Sequence, residues 1–212
     1  EALAEEFGLS ARQLRRIVTT EYGVNPLAIA KTRRLLLAKQ LLTDTRLRIV
    51  DIAFASGFSS LRQFNRSFAE DYRLSPGALR RRSTAETGLG IPLKLGFRGA
   101  LAWEAMTGFM LGRASQRTEC MDGARYARTV RLGPHLGWIA ARPAGHNILQ
   151  VEVAPSLLPA LPELQTRLRR LFDLDANPDI IESHLAQHAA LRPLIARTPG
   201  LRVPGAFDGF EL

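Results

Sequence analysis

The chain has a single cysteine, Cys120, in 212 residues. An internal disulfide is therefore excluded, and so is a zinc site built on cysteines of this chain. No apolar run approaches the roughly twenty residues that a membrane-crossing helix needs, and no charged-then-apolar signal segment opens the sequence. No membrane partner is expected, and a cytoplasmic location is the simple reading. Histidine is scarce too, with four in all. His184 and His188 stand four apart on an expected helix, but HLAQH lacks the acidic residue of a zincin and shows no third ligand. The pair is read as solvated or packed, and no metal is assigned. Cys120 has no neighbouring base to activate its thiol. Gly88, Gly90, Gly96 and Gly99 have the wrong spacing for a phosphate-binding loop. No catalytic residue is assigned anywhere in the chain.

Positive charge is what the chain has in excess. Its formal net charge is +9, with a sequence pI near 10.9. The excess is uneven: residues 1–84 carry fifteen Lys/Arg against eight Asp/Glu, and the remainder fourteen against twelve. Such a field favours contact with phosphates, makes affinity depend on salt and speeds encounter. Arginine greatly outnumbers lysine, which suits bidentate recognition and equally suits a GC-rich genome, so it carries no functional weight.

The first part of the chain contains a repeat. Gly8 to Pro26 (GLSARQLRRIVTTEYGVNP) returns as Gly57 to Pro76 (GFSSLRQFNRSFAEDYRLSP). Arg12, Gln13 and Leu14 fall on Arg62, Gln63 and Phe64; Arg16 falls on Arg66, Val18 on Phe68, Tyr22 on Tyr72 and Pro26 on Pro76. A repeat of this length is one supersecondary unit used twice. Apolar residues recur at helical spacing in each copy (Leu14, Ile17, Val18; Leu61, Phe64, Phe68) and predict a stripe facing a core. Arg12, Arg15 and Arg16, and Arg62, Asn65 and Arg66, are then left facing outward. Leu3, Ala4 and Phe7 predict a short first helix, Gly8 its stop and Ser10 the cap of the next; Ile52, Ala53, Phe54, Gly57 and Ser59 or Ser60 repeat these signals. Pro26 starts a long helix, Leu27 to Leu42, whose Leu35, Leu36, Ala38, Leu41 and Leu42 are expected to pack on both units. This is helix-turn-helix grammar, in which the second helix enters the major groove, Arg pairing with guanine and Asn with adenine.

On these residues, with IVDIAFASGFSS, FNRSF and LSPGALRR carrying the signature, positions 1 to about 82 resemble the DNA-binding module of AraC-type transcriptional regulators. The resemblance implies base- or phosphate-facing roles for Arg12, Arg15 and Arg16 in the first copy and Leu61, Arg62, Asn65 and Arg66 in the second. Arg62 departs from the family pattern, standing where many members carry a small or amide residue. Promoter DNA is the implied partner, with RNA polymerase a further one for an activator, and the location becomes nucleoid-associated.

Past Arg80, Arg81 and Arg82, a polar, glycine-containing stretch reads as a linker, placed at 85–90. A different grammar follows. Pro92 to Arg98 alternates as a half-buried strand; further strands are expected at Tyr126–Leu132, Leu136–Arg142 and Ile148–Val153, in an antiparallel meander. Trp103, Met106, Phe109 and Met110 predict a crossing helix, and helical spacing returns at Leu161, Leu164, Leu168, Leu171 and Phe172, then from Asn177-Pro178 through Leu185. The expected fold is therefore an all-α tandem helix-turn-helix domain over 1–84, then an α+β domain over 91–155. Helices of a third part, 156–212, complete it.

LAWEAMTGFMLGRA, ARYARTV, RRLFDLDANPDIIESHL and LRVPGAFDGFEL, within residues 89 to 212, are similar to the N-terminal part of 3-methyladenine DNA glycosylases of the AlkA kind. The resemblance implies that 156–212 opens a truncated helical glycosylase domain, and that alkylation-damaged DNA is a second partner whose damaged bases are flipped into a cleft. It also implies that the catalytic Asp lies beyond Leu212. The chain is expected to be a fragment, inactive by itself, of a protein that excises alkylated purines. Phe109 aligns with an aromatic bordering the base pocket, where a cationic methylated base would stack; periodicity alone fits a core position as well. Trp103 aligns nearby with a more structural role, and Arg113 stands at the pocket end or at a solvated helix end. The joined architecture resembles adaptive-response proteins of the Ada kind, which implies zinc only in an upstream methyl-accepting domain and no cofactor here. A non-enzymatic AraC-type factor with a C-terminal sensor domain is the alternative.

Overall fold

The computed structural model describes residues 2–80, 90–113 and 118–208. The expected linker, Gly90 excepted, lies outside them, as do Arg81, Arg82, the side chain of Leu3 and the last four residues. The chain divides into two compact units, one made of the helices up to Arg80 and the other of everything from the first strand onward, with the short link Asp44–Leu47 counted in the second.

The first unit is helical throughout: α1 (Ala2–Glu6), α2 (Ala11–Tyr22), α3 (Pro26–Asp44), α4 (Ile49–Ala55), α5 (Leu61–Tyr72) and α6 (Pro76–Arg80). The repeat recurs in the backbone. Ser10 caps α2, its hydroxyl accepting from the Gln13 N–H at 3.2 Å while Gln13 Oε1 accepts from the Ser10 N–H at 2.9 Å. Ser60 caps α5, its hydroxyl accepting from the Gln63 N–H at 3.2 Å, while Gln63 Oε1 accepts from the hydroxyl and N–H of Ser59 instead. Both helices end in the left-handed region, at Gly23 (φ 68°) and at Arg73 (φ 55°), where a Cβ must be tolerated. Asn25 and Ser75 then start the next helix, accepting from the N–H groups of Leu27 and Ala78.

The core of this unit is Leu35, Leu37, Ala38, Leu41 and Leu42 of α3 with Ile52, Ala53, Phe58, Phe64 and Phe68. Leu36 was expected in that set and is 55% exposed, whereas Leu37 is buried. At about 100° per residue the buried arc runs without a break from Leu37 through Leu41, Ala38 and Leu42 to Leu35, and Leu36 falls outside it. The aromatic rings of Phe58, Phe64, Phe68 and Tyr72 follow one another at 5.3, 5.5 and 4.7 Å, and Lys39 of α3 sits 5.4 Å above Tyr72. The first copy is packed less deeply. No side chain of α2 is fully buried, and Phe7 and Ile17, expected in apolar stripes, are exposed. Smaller Leu14 and Val18 stand there in place of two phenylalanines, and the neighbouring α1 has only five residues. Leu61, expected on the apolar stripe of the second copy, also stands exposed at the start of α5.

The second unit is a five-stranded antiparallel sheet with helices on one face. Its strands are β1 (Ile91–Gly96), β2 (Glu119–Asp122), β3 (Arg125–Leu132), β4 (His135–Pro143) and β5 (Ile148–Val153), in spatial order β1-β5-β4-β3-β2. Strands β3 to β5 form the expected meander, β2 adds an unexpected edge strand to it, Ile91 of β1 pairs with Val153 of β5, and α7 (Trp103–Arg113) makes the crossing between β1 and β2. A 3₁₀ turn (Pro155–Ala160) leads into α8 (Leu161–Leu171), α9 (Pro178–Leu185) and α10 (Arg192–Arg197). Leu93, Leu95, Tyr126, Ile139 and Val151 of the sheet are buried with Met106 of α7 and Leu161, Leu164 and Leu168 of α8. Phe172 joins them, 5.5 Å from the Trp103 ring and 5.8 Å from that of Tyr126. The expected break after residue 155 thus does not separate two compact units: α8 is part of the layer that covers the sheet.

Two buried arginines fasten this unit. Arg128 lies 3.6 Å from Glu119, whose other oxygen accepts from the Tyr126 hydroxyl at 2.6 Å, and the Phe207 ring stacks 4.6 Å from the Arg128 guanidinium. Arg202 donates to the carbonyls of Asp173, Ala176, Arg98 and Ala100, holding the turn after α8 against the approach to α7.

Candidate nucleic-acid interface

The capping of α2 and α5 fixes which way their polar faces turn. Once Ser10 and Ser60 start each helix in register, Arg12, Arg15 and Arg16 of α2 all stand in solvent, and so do Arg62, Asn65 and Arg66 of α5, with Leu61 at 37% exposure. The two sets occupy matching places in helices of equal length, twelve residues each. The α2 set presents cationic donors and the α5 set cationic and amide donors, all free of core packing, the inventory that base edges and phosphates accept. Arg12, Arg15, Arg16 and Arg62 have no acidic partner among the described residues.

Arg66 differs from its counterpart. Its Nε donates to Glu70 Oε1 at 2.9 Å. The other oxygen of Glu70 lies 3.5 Å from Lys31 Nζ on α3, which also meets Asp71 at 2.8 Å. The hydrogen bond from Arg66, with Lys31 behind it, holds the Glu70 carboxyl below the usual carboxylate range. Asp71 in turn raises the ammonium of Lys31 above its ordinary value. The i,i+4 spacing of Arg66 and Glu70 is visible in the sequence. Lys31, forty residues from Asp71, is supplied by the fold.

In the second unit α7 brings an aromatic residue to the surface. Phe109 is 53% exposed, and the Arg113 guanidinium lies 5.3 Å over its ring. A core position for Phe109, which the periodicity also allowed, is thereby removed. Trp103, at the other end of the helix, is buried against Phe172, and its indole N–H donates to the Ala124 carbonyl at 3.1 Å. Trp103, aligned nearby with a more structural role, takes a core place, its ring and its donor both satisfied. Among the described residues no three His, Cys, Asp or Glu side chains gather as a metal site. His184 and His188 do not share a helix: α9 stops at Leu185 and His188 lies in the following turn. Cys120 is exposed on the edge strand β2. No described helix is long and apolar enough to cross a membrane.

Residues 92–208 match the family model of the AlkA N-terminal domain. The chain belongs to the AlkA N-terminal domain family. Ahead of the AlkA-type unit, residues 3–82 match a helix-turn-helix domain, of the AraC type. Over 216 aligned residues, 99% of this chain and 43% of the relative, the identity is 34% to the probable bifunctional transcriptional activator/DNA repair enzyme AlkA of Mycobacterium tuberculosis. DNA-3-methyladenine glycosylase 2 of Escherichia coli is 34% identical over 110 residues, 51% of this chain and 37% of that protein. The virulence regulon transcriptional activator VirF of Yersinia enterocolitica is 38% identical over 85 residues, 40% of this chain and 31% of its own. The chain spans less than half the length of these curated relatives. The AlkA family match runs through the sheet, α7 and α8 without a break, as the packing does.

Proposed function

We propose that this chain is the promoter-reading part of a bifunctional alkylation-response protein, joined to the domain on which a 3-methyladenine DNA glycosylase builds its base pocket. The observation that carries the reading is the repeat in three dimensions. Two helices of equal length, each started by a serine cap, present Arg12, Arg15 and Arg16, and Arg62, Asn65 and Arg66, to solvent. In this reading each helix lies in a major groove, where arginine grips guanine O6 and N7 and Asn65 meets adenine N6 and N7, with the remaining cations on phosphates. The AraC-type match and the bifunctional mycobacterial relative support it.

For the AlkA-type unit we infer that Phe109 borders the site that receives a flipped base. An exposed ring already carrying a guanidinium on its face is suited to a purine made cationic by methylation. The hydrolytic step belongs to the whole protein, and residues 1–212 alone would bind DNA without releasing bases. RNA polymerase is a further partner in this reading, and the cytoplasm beside the nucleoid its place of work.

Binding of residues 1–212 to duplexes selected from a random pool tests the first half. A defined motif bound at least 10³-fold more tightly than random duplex at physiological salt is expected; indifference to sequence would reject it. Release of methylated purines by the full-length protein tests the second. Phe109→Ala should lower release while leaving promoter binding unchanged, and unaltered release would remove Phe109 from the pocket.

A further inference from the structure

The two reading helices are not equivalent. Arg66 Nε is engaged by Glu70, and Glu70 is itself held by Lys31 from α3. In α2 the position matching Glu70 is Thr20, which carries no charge, so Arg16 has no such tether. The tether on Arg66 uses Nε alone. Its two terminal nitrogens stay unengaged among the described residues, and these form the fork that an end-on contact with guanine O6 and N7 requires. An arginine whose side is fixed and whose fork is open loses less freedom on docking than one that sweeps through solvent. The carboxylate beside it also repels phosphate, so a groove-floor contact is favoured over a backbone one.

We propose that Glu70 is a positioning residue for sequence readout, holding Arg66 so that its terminal fork meets one base pair and making α5 the more selective of the two reading helices. The proposal rests on the reading of α5 as a DNA-recognition helix. Exposed ion pairs add little to stability, and Arg66 is 81% and Glu70 49% exposed, so Glu70 substitutions leave the fold intact.

The test is binding-site selection by the whole chain from duplexes randomised over about two helical turns, run on the wild type, Glu70→Ala, Glu70→Gln, Arg66→Ala and the Arg66→Ala/Glu70→Ala double variant. Wild type yields a motif with one position that Arg66→Ala erases. Glu70→Ala weakens the preference at that same position about fivefold or more while tightening binding to random duplex, since a repelling charge is gone. Glu70→Gln, whose amide oxygen still accepts from Nε, tightens random binding similarly but keeps the preference. Adding Glu70→Ala to Arg66→Ala changes no preference. A Glu70→Ala variant that binds every sequence more tightly with its motif unaltered overturns the positioning role and leaves the DNA reading standing. A wild type that selects no motif removes the DNA reading and this proposal with it.

Discussion

Arg66 and Tyr126 show how single side chains in this molecule acquire their behaviour from neighbours. Arg66→Ala is expected to relax preference at one base pair and to cost about 1–3 kcal/mol of binding to the selected duplex. Measured affinities for the matched and singly mismatched duplexes check this; an equal loss on all sequences would reduce Arg66 to a phosphate contact. Tyr126 is fully buried, and burial first, then the hydrogen bond to Glu119, pushes its phenol well above the ordinary tyrosine value. In the unfolded chain the phenol ionises near pH 10, while in the folded protein it stays neutral, so its contribution is complete below that pH and is lost as pH rises above it. Tyr126→Phe should flatten the alkaline limb of a stability-versus-pH profile relative to wild type. An identical alkaline limb in both proteins would contradict this environment. Which arginines lie inside was not legible at this scale: Arg128 and Arg202 look like any other basic residue in the sequence. The partners that make their burial tolerable include Glu119 across a hairpin and carbonyls some hundred positions away.

The elements were legible where local chemistry decides them. Ser10 was legible as the cap of α2 and Ser59 or Ser60 as that of α5; the structure places the caps at Ser10 and Ser60. Ser10→Ala and Ser60→Ala should each cost about 1 kcal/mol of stability, read as a lower denaturant midpoint with unchanged slope; a shift indistinguishable from zero would contradict the capping geometry. Glu119–Asp122, a short edge strand with no alternation of apolar residues, and the helical turn Arg192–Arg197 were not legible. One position of the α3 stripe was misassigned, Leu36 for Leu37, because five leucines in its second half fit more than one stripe. Glycine at 200 was silent in the sequence. Its φ of 77° and the 2.5 Å separation between a Cβ there and the Ala100 backbone make Gly200→Ala costly, about 2–4 kcal/mol, visible as a lower midpoint of thermal unfolding. A melting curve matching wild type would show that the loop before α7 yields more readily than its packing indicates.

Across the whole molecule, the sequence conveyed the division between a basic helical reader and a nearly charge-balanced α+β unit, through the uneven charge and the change from helical to alternating period. It did not convey that α8 closes over the sheet, since an amphipathic helix reads alike whether its apolar face meets a sheet or other helices. The concentration of cations in residues 1–84 predicts strong salt dependence of DNA binding. If the five arginines on the outer faces of α2 and α5 each neutralise about one phosphate, log affinity should fall with log salt at a slope of about −4 to −5. Two arginine-bearing helices of one chain are expected to read one duplex. Footprinting of residues 1–212 on a selected duplex tests it most directly. Two protected major-groove patches on one face, about 10 base pairs apart, are expected, one lost on substituting Arg12 and Arg16 and the other on substituting Arg62 and Arg66. A single protected patch, untouched by the α2 substitutions, would contradict it.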